Sequence, residues 1–258
     1  MNIHFEKYQG TGNDFIMIDN TNNQYDFMVV DDVKKLCKRR FGIGADGLIL
    51  INSHADYDFE MRYFNADGTM SFCGNGARCA VHFAQKLKII KDTTRFLAID
   101  GVHEARIFSN EIALKMNDVT TWKEKISDYE INTGSPHYII FVDNLSAFDI
   151  IEIGKNIRYS DPYKLNGINV NLAEVVDNKI SMLTYERGVE GETFSCGTGA
   201  TAVAIAHAIK TKVRGSFSQP IYVKGGVLTV SAEFNGEKFT NIILKGPATY
   251  IFNGTVRL

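Results

Sequence analysis

Two five-residue segments carry the chemistry of this 258-residue chain: Cys73-Gly74-Asn75-Gly76-Ala77 and Cys196-Gly197-Thr198-Gly199-Ala200. In each, the glycines let the backbone turn tightly and approach a ligand. The run that follows reads as a helix, whose first N–H groups have no intrahelical acceptor. Such a helix start binds an anion such as a carboxylate and favours a thiolate over a thiol, bringing a cysteine below its free value of about 8.5. Each segment therefore offers a thiol or thiolate beside a carboxylate cradle. A pair of them around one small cavity suits inversion at a carbon: one sulfur takes a proton while the other delivers one to the opposite face. The carbon acid beside a carboxylate is very weak, so donors already in place must meet the charge that develops.

The two segments lie 123 positions apart, and other matches keep nearly the same spacing. Thr11-Gly12 matches Thr133-Gly134 at 122, each pair leading into an apolar strand that ends in Asp-Asn (Asp19-Asn20 and Asp143-Asn144). Gly42-Ile43 matches Gly167-Ile168 at 125, each following an amphipathic helix. Matches in one order at a spacing near half the chain length indicate an internal duplication. The organisation expected is two homologous domains, 1–117 with the first cysteine and 118–258 with the second, the last strand being free to return to the first domain. The fold class expected is α/β (α+β). Each domain would be a mixed strand barrel wrapped around a buried central helix, the two related by a pseudo-twofold axis, with the active site in the interdomain cleft.

The elements that must position the cysteines follow from period. Strands are expected at Phe15–Ile18, Leu48–Ile51, Phe59–Phe64, Ile112–Met116, Tyr138–Val142, Ile180–Glu186, Val227–Ala232 and Asn241–Leu244. Amphipathic helices are expected at Asp31–Arg40 and Ala147–Arg158. Two more should begin just after Cys73 and Cys196. The segments Ala77–Leu87 and Ala200–Ile209 are small or apolar on nearly every side, and a helix of that kind is buried.

Composition narrows the function classes. Lys and Arg total 28 against 30 Asp and Glu, a net charge of −2, and no basic block advertises nucleic acid or a membrane surface. The start MNIHFEKYQG lacks the basic, then apolar pattern of a signal peptide, and Thr193–Ile209 is too short and too polar for a membrane span, so a cytoplasmic protein is expected. Four cysteines are too few for a disulfide scaffold at this length. Cys37 and Cys79 read as ordinary core residues. Cys73, Cys79 and His82 do not have a zinc-site spacing, no Cys-x-x-Cys redox pair is present, and Gly42–Gly47 does not place its glycines as a dinucleotide or P-loop motif does. No metal and no cofactor is expected.

Seven motifs then carry a resemblance. They are GTGNDF at Gly10–Phe15, FNADG at Phe64–Gly68, CGNGARC at Cys73–Cys79, GSPH at Gly134–His137, GINVN at Gly167–Asn171, ERG at Glu186–Gly188 and SCGTGA at Ser195–Ala200. Across nearly its whole length the chain resembles the diaminopimelate epimerase family. The resemblance implies interconversion of LL- and meso-2,6-diaminoheptanedioate without pyridoxal phosphate, in lysine and peptidoglycan precursor synthesis. It makes Cys73 and Cys196 the two bases, in agreement with the repeat. It gives the backbone amides of Gly74, Asn75, Gly197 and Thr198 the reacting carboxylate and puts Asn13 beside that end. His137 and Glu186 would help set the protonation of the thiols. Asn65, Asn169 and Arg187 would read the far amino and carboxylate groups, an Arg fork being suited to a carboxylate. Two positions depart from the family pattern: Ser135 stands for the Asn of a GNPH motif, and Gly47 stands where some members have Gln.

Two other readings compete. A proline racemase-like enzyme would use a similar cysteine pair on a smaller substrate, against which the distal Arg187 and asparagine set argues. A non-catalytic amino-acid-binding or redox-sensing relative would not need two thiols at one carbon. The partner expected is a small amino-acid substrate, with no nucleic acid and no membrane. A homodimer is left open.

Overall fold

The computed structural model describes residues 2–109 and 111–258. The chain divides into two compact units, Met1–Leu114 with Gly246–Leu258, and Lys115–Lys245. It is a mixed α+β protein rich in strands, with two domains.

In the first unit the strands are β1 (Asn2–Gly10), β2 (Asn13–Asp19), β3 (Gly47–Asn52), β4 (Glu60–Asn65), β5 (Thr93–Ala98), β6 (Gly101–Phe108) and β7 (Glu111–Lys115). Helix α1 (Val30–Cys37) joins β2 to β3, and α2 (Gly74–Lys86) joins β4 to β5. β1 runs antiparallel to β2 and to the C-terminal strand Thr249–Arg257. β2 is parallel to β3, β3 antiparallel to β4, β4 parallel to β5, and β5, β6 and β7 are antiparallel in turn. All six residues of β3, GLILIN, are buried. Both faces of the strand are covered, which replaces alternation with a continuous apolar run. Leu48 and Leu50 join Ile16, Ile18, Val33 and Leu36 in a core under α1. Ile49 instead approaches Gly76 of α2.

The second unit has β8 (Trp122–Glu124), β9 (Asp128–Asn132), β10 (Pro136–Val142), β11 (Asn169–Val176), β12 (Lys179–Glu186), β13 (Gly191–Thr193), β14 (Gly215–Val223), β15 (Gly226–Phe234) and β16 (Phe239–Pro247). Helix α3 (Ile150–Arg158) joins β10 to β11, and α4 (Gly197–Lys210) precedes β14. β10 is parallel to β11, β11 antiparallel to β12, β12 parallel to β14, and β14, β15 and β16 are antiparallel in turn. This is the pairing order of the first unit, down to register: Phe15 pairs with Gly47 as His137 pairs with Asn169. The duplication read from the cysteine motifs is thus also a duplication of topology.

Both central helices begin where expected, and from Gly199 to Ala206 no residue of α4 is exposed. The outer helices differ from their expected bounds. α1 ends at Cys37 because the returning loop takes its last carbonyls: Gly44 N donates to Leu36 O at 3.0 Å and Ala45 N to Cys37 O at 3.0 Å. α3 begins only at Ile150, where Asp149 accepts from the backbone N–H groups of Ile151 and Glu152, and Leu145–Ala147 form a separate 3-10 turn. Among the described residues no helix is long and apolar enough to cross a membrane.

Candidate active site

Cys73 and Cys196 are the N-cap residues of α2 and α4, with nearly equal backbone angles (φ −135°, ψ 115° and φ −129°, ψ 112°). The first intrahelical bonds are Ala77 N to Cys73 O at 2.8 Å and Ala200 N to Cys196 O at 2.9 Å. Gly74 and Asn75, and likewise Gly197 and Thr198, therefore stand in the first turn, where backbone donors face away from the helix. Cys73 is partly exposed and Cys196 is buried at 7 % exposure.

Two amides lie beside Cys73. Gly76 N donates to its Sγ at 3.5 Å, and the Sγ lies 3.5 Å from Asn13 Oδ1. Asn13 follows the Thr11-Gly12 turn, where φ is +50° and +85°, as a tight two-residue hairpin requires. Its Nδ2 donates to Asp46 Oδ2 at 2.7 Å, and its Oδ1 accepts from Asn75 Nδ2 at 3.3 Å. Behind these lies an ionic cluster in which Lys7 and Arg39 grip Asp14 at 2.8 and 2.6 Å. Burial opposes ionisation of Asp14, but the bonds and charges of Arg39 and Lys7 outweigh it and bring the carboxyl down to about 2.

From Cys196 a chain of contacts leads into the core. Its Sγ is 3.4 Å from Thr198 Oγ1, which is 2.9 Å from His137 Nε2. His137 Nδ1 is 3.0 Å from Asn171 Nδ2, and Thr184 Oγ1 donates to Asn171 Oδ1 at 3.0 Å. His137, Asn171 and Thr184 are all buried. Burial and the nearby charge of Arg187 push His137 down to about 3, so its ring is neutral.

That shift has a consequence for stability. Below about 6.5 the unfolded chain protonates this histidine while the folded chain does not, so stability rises with pH through the window from about 3 to 6.5. His82 and His207 are lowered too, each chiefly by burial, and add in the same direction. The urea midpoint is expected to fall from pH 7 to pH 5 and to fall less in His137→Gln. An equal slope in the variant would mean that His137 is not the main source.

Asn169 Nδ2 donates to Ser135 Oγ at 2.8 Å and to Pro136 O at 3.2 Å, and its Oδ1 accepts from Arg187 N at 2.9 Å. Its amide thus ties the start of β10 to the end of β12, and Ser135 takes part in that tie. Arg187 Nη1 donates to Asn166 O at 2.8 Å. Glu186 is the last residue of β12 and pairs with Gly191. Asn65 Nδ2 donates within its own turn, to Thr69 Oγ1 at 3.0 Å and Ser71 Oγ at 3.1 Å. At Gly47 a Cβ would lie 2.4 Å from Tyr63 Cε2 and 2.6 Å from Phe64 O, so a larger residue has no room here. Cys37 and Cys79 are core thiols that burial pushes up to about 12.

Two features escaped the sequence reading. Arg78, in the second turn of α2, is fully buried. It donates to Asn75 Oδ1 at 3.0 Å, Thr11 Oγ1 at 3.2 Å and Pro247 O at 3.3 Å, and no carboxylate pairs with it among the described residues. Asn171 and Thr184 were hidden as well, although an Asn at the third position of the strand NVNLAEVV is a polar interruption worth noticing.

Matched half-sites on matched topology are what a duplicated cysteine enzyme would show, and the comparison with known proteins decides the family. The profile described as diaminopimelate epimerase matches residues 5–122 and 129–251. The chain belongs to this family. A relative from Flavobacterium psychrophilum named diaminopimelate epimerase is 51% identical over 97% of this chain and 98% of its own length. One of the same name from Aquifex aeolicus is 35% identical over 98% of this chain and 97% of its own. Among solved structures, a PhzF-family phenazine biosynthesis protein from Bacillus anthracis aligns over 100% of both chains with a TM-score of 0.80 at 14% identity. A hydroxyproline epimerase from Agrobacterium vitis aligns over 99% of this chain and 91% of its own, with a TM-score of 0.72 at 13% identity. At those identities the two structures speak for the fold that the family shares, and not for a substrate.

Proposed function

We propose that this chain is a cofactor-independent isomerase that interconverts LL- and meso-2,6-diaminoheptanedioate, with Cys73 and Cys196 as its two bases. One sulfur, as thiolate, takes the α-proton. The C–H bond breaks as an S–H bond forms, and the electron pair stays on the carbon and its carboxylate. The other sulfur, as thiol, gives its proton to the opposite face and is left as the thiolate. Nothing is oxidised or reduced, and two turnovers in opposite directions restore the starting pair. The first-turn amides of Gly74, Asn75, Gly197 and Thr198 hold the carboxylate as charge builds on it, which helix starts favour. Asn13 lines the reacting end. His137 and Glu186 bear on thiol protonation. Arg187 takes the distal carboxylate, with Asn65 and Asn169 beside it. The tie from Asn169 Oδ1 to the Arg187 backbone suits a role in aiming that arginine. The reading includes a cytoplasmic setting, where thiols stay reduced.

The observation that carries it is the pair of cysteine N-caps at matched positions of two buried helices in a chain of this family. Two thiols supply both proton positions themselves, so pyridoxal phosphate has no task here. In D2O the purified chain is expected to exchange the α-proton of diaminopimelate as it inverts the centre, and to keep its rate after dialysis against a chelator. Binding without exchange would overturn the reading in favour of a non-catalytic relative. Faster exchange with proline than with diaminopimelate would favour a proline racemase-like enzyme.

A further inference from the structure

Arg78 ties together the two turns that line the reacting end. It sits in the second turn of α2 with no exposed surface. Its Nη2 donates to Asn75 Oδ1 at 3.0 Å, in the first turn of the same helix, and to Thr11 Oγ1 at 3.2 Å, in the turn that leads to Asn13. Its Nε donates to Pro247 O at 3.3 Å. All of these residues belong to the first unit. Gly10 leaves the guanidinium its space, since a Cβ there would lie 3.1 Å from Asn75 O and 3.3 Å from Arg78 Nη2. Thr11 has φ of +50°, a conformation that a β-branched residue rarely adopts, so the bond to its hydroxyl steadies a turn that is strained by itself.

A guanidinium can only donate and a carboxylate can only accept, so the amides that stand between Arg78 and Asp46 have one orientation. Arg78 turns the Asn75 oxygen toward itself, and Asn75 Nδ2 donates to Asn13 Oδ1 at 3.3 Å. Asp46 Oδ2 takes Asn13 Nδ2 at 2.7 Å, and Asp46 is itself paired with Arg39 at 2.9 Å. Reversing either amide would set two donors or two acceptors face to face. Packing does not by itself ask for an arginine at this place. Thr201, 123 positions on, is equally buried in α4, and its hydroxyl donates to Gly197 O at 2.9 Å within the helix. Nor is the charge of Arg78 neutralised by a carboxylate among the described residues, and its Nη1 is buried without a partner there. Burial pushes the guanidinium down, while the thiols of Cys79 and Cys73 bear the other way. A buried donor without an acceptor and a buried charge without a counter-ion are both unfavourable, so the bonds to Thr11, Asn75 and Pro247 are kept against that cost.

We propose that Arg78 is a positioning residue for the first half of the site: it clamps the Thr11-Gly12 turn to the first turn of α2 and locks the side-chain amides of Asn75 and Asn13 in one orientation beside Cys73. This rests on the two-base reading above. Arg78 acts through Asn75 and Thr11, holding them in place before substrate arrives.

The test is a double-variant cycle on the full-length chain, read as kcat and KM for diaminopimelate, with the thermal midpoint of each variant alongside. Arg78→Met keeps a long side chain and removes the charge and the donors. Asn75→Ala removes the side-chain amide and keeps the backbone N–H. Arg78→Met is expected to lower kcat about tenfold or more, since a misplacement near 1 Å is worth up to about a hundredfold. KM should stay within about threefold, because the first-turn backbone amides remain. In the Asn75→Ala background the same substitution is expected to lower kcat at least about threefold less than it does alone, one of its partners being already gone. A residue that serves packing alone would lower the thermal midpoint and leave the kcat of the folded chain in place. An unchanged kcat in folded Arg78→Met, or losses that multiply in the double variant, therefore overturns the proposal. Should Arg78→Met fail to fold, Arg78→Lys takes its place in the cycle with the same expectations, since a point charge cannot serve three acceptors as a planar fork does. The lock itself is read by 15N NMR of the unsubstituted chain without substrate. Stronger through-space contacts from the Asn75 NH2 protons to Asn13 than to Arg78 are expected, and a reversed or averaged amide overturns the lock. Loss of α-proton exchange with the amides so ordered would count against the two-base reading alone.

Discussion

Cys73→Ala and Cys196→Ala are each expected to remove nearly all epimerisation, a loss of about 10²–10⁴-fold, the usual contribution of one acid or base group. Inversion needs a proton taken from one face and another given to the opposite face. With one sulfur gone, either the acceptor or the donor is missing in each direction. Groups that work as one unit are not additive, so the double variant should be little worse than either single one. Folding should survive, since each substitution removes one sulfur at a helix N-cap and leaves the buried faces of α2 and α4 intact. The check is the racemisation rate of each variant beside its circular dichroism spectrum. A variant that is folded and keeps more than about a tenth of the rate, a loss below ~1.4 kcal/mol, would strip that cysteine of its role.

Gly199→Ala is expected to be nearly as damaging, while Gly76→Ala is expected to be mild, although the two glycines occupy the same place in the repeat. At Gly199 a Cβ would lie 2.7 Å from Asn171 Oδ1 and 3.3 Å from both Cys196 Cβ and His137 Cε1. Asn171 is bonded to Tyr138, Thr184 and His137 and has nowhere to go, so relief must come from displacing the chain that ends at Cys196. Overpacking of this kind costs about 1–3 kcal/mol, and the misplaced sulfur should lower activity by about 10²-fold. At Gly76 the only close approach would be to Ile49 Cδ1 at 3.0 Å, the far end of a flexible side chain, while Met61 Cε and the ring atom Phe15 Cε1 lie at 3.4 Å. Ile49 can give by a few tenths of an ångström, and alanine in place of glycine favours a helix by about 1 kcal/mol. Thermal midpoints and initial rates of the two variants decide the matter. Equal damage at both sites would mean that the Asn171 chain is not what makes Gly199 essential.

The different surroundings of these two glycines come from contacts that no local pattern shows. The motifs Cys-Gly-Asn-Gly-Ala and Cys-Gly-Thr-Gly-Ala were legible because helix starts with glycines at fixed offsets are local, and a local pattern repeated at one spacing survives in one dimension. The central helices were legible for the same kind of reason, as runs without a polar face. The ends of α1 and α3 were not, because capping depends on which distant or loop groups arrive to take the last carbonyls or first amides. Short strands such as β8 and β13 carry three residues each, too few for a period to show.

The duplication, the two thiols with their helix starts, and the family to which those motifs belong are all set by residue type and near-neighbour spacing. How the two copies differ is a matter of long-range packing. Phe15 and His137 occupy the same register position of the parallel pairs β2–β3 and β10–β11, and Gly47 and Asn169 occupy the other. In the first copy those places are filled by an aromatic ring and a glycine pressed against Tyr63. In the second they hold a buried imidazole and an amide bonded to Ser135 and Arg187. What stands beside each sulfur depends on hydrogen bonds among Asn13, Asp46, Asn171 and Thr184. Those residues lie 13 to 33 positions from the partners named here, and only the pairing of strands brings them together.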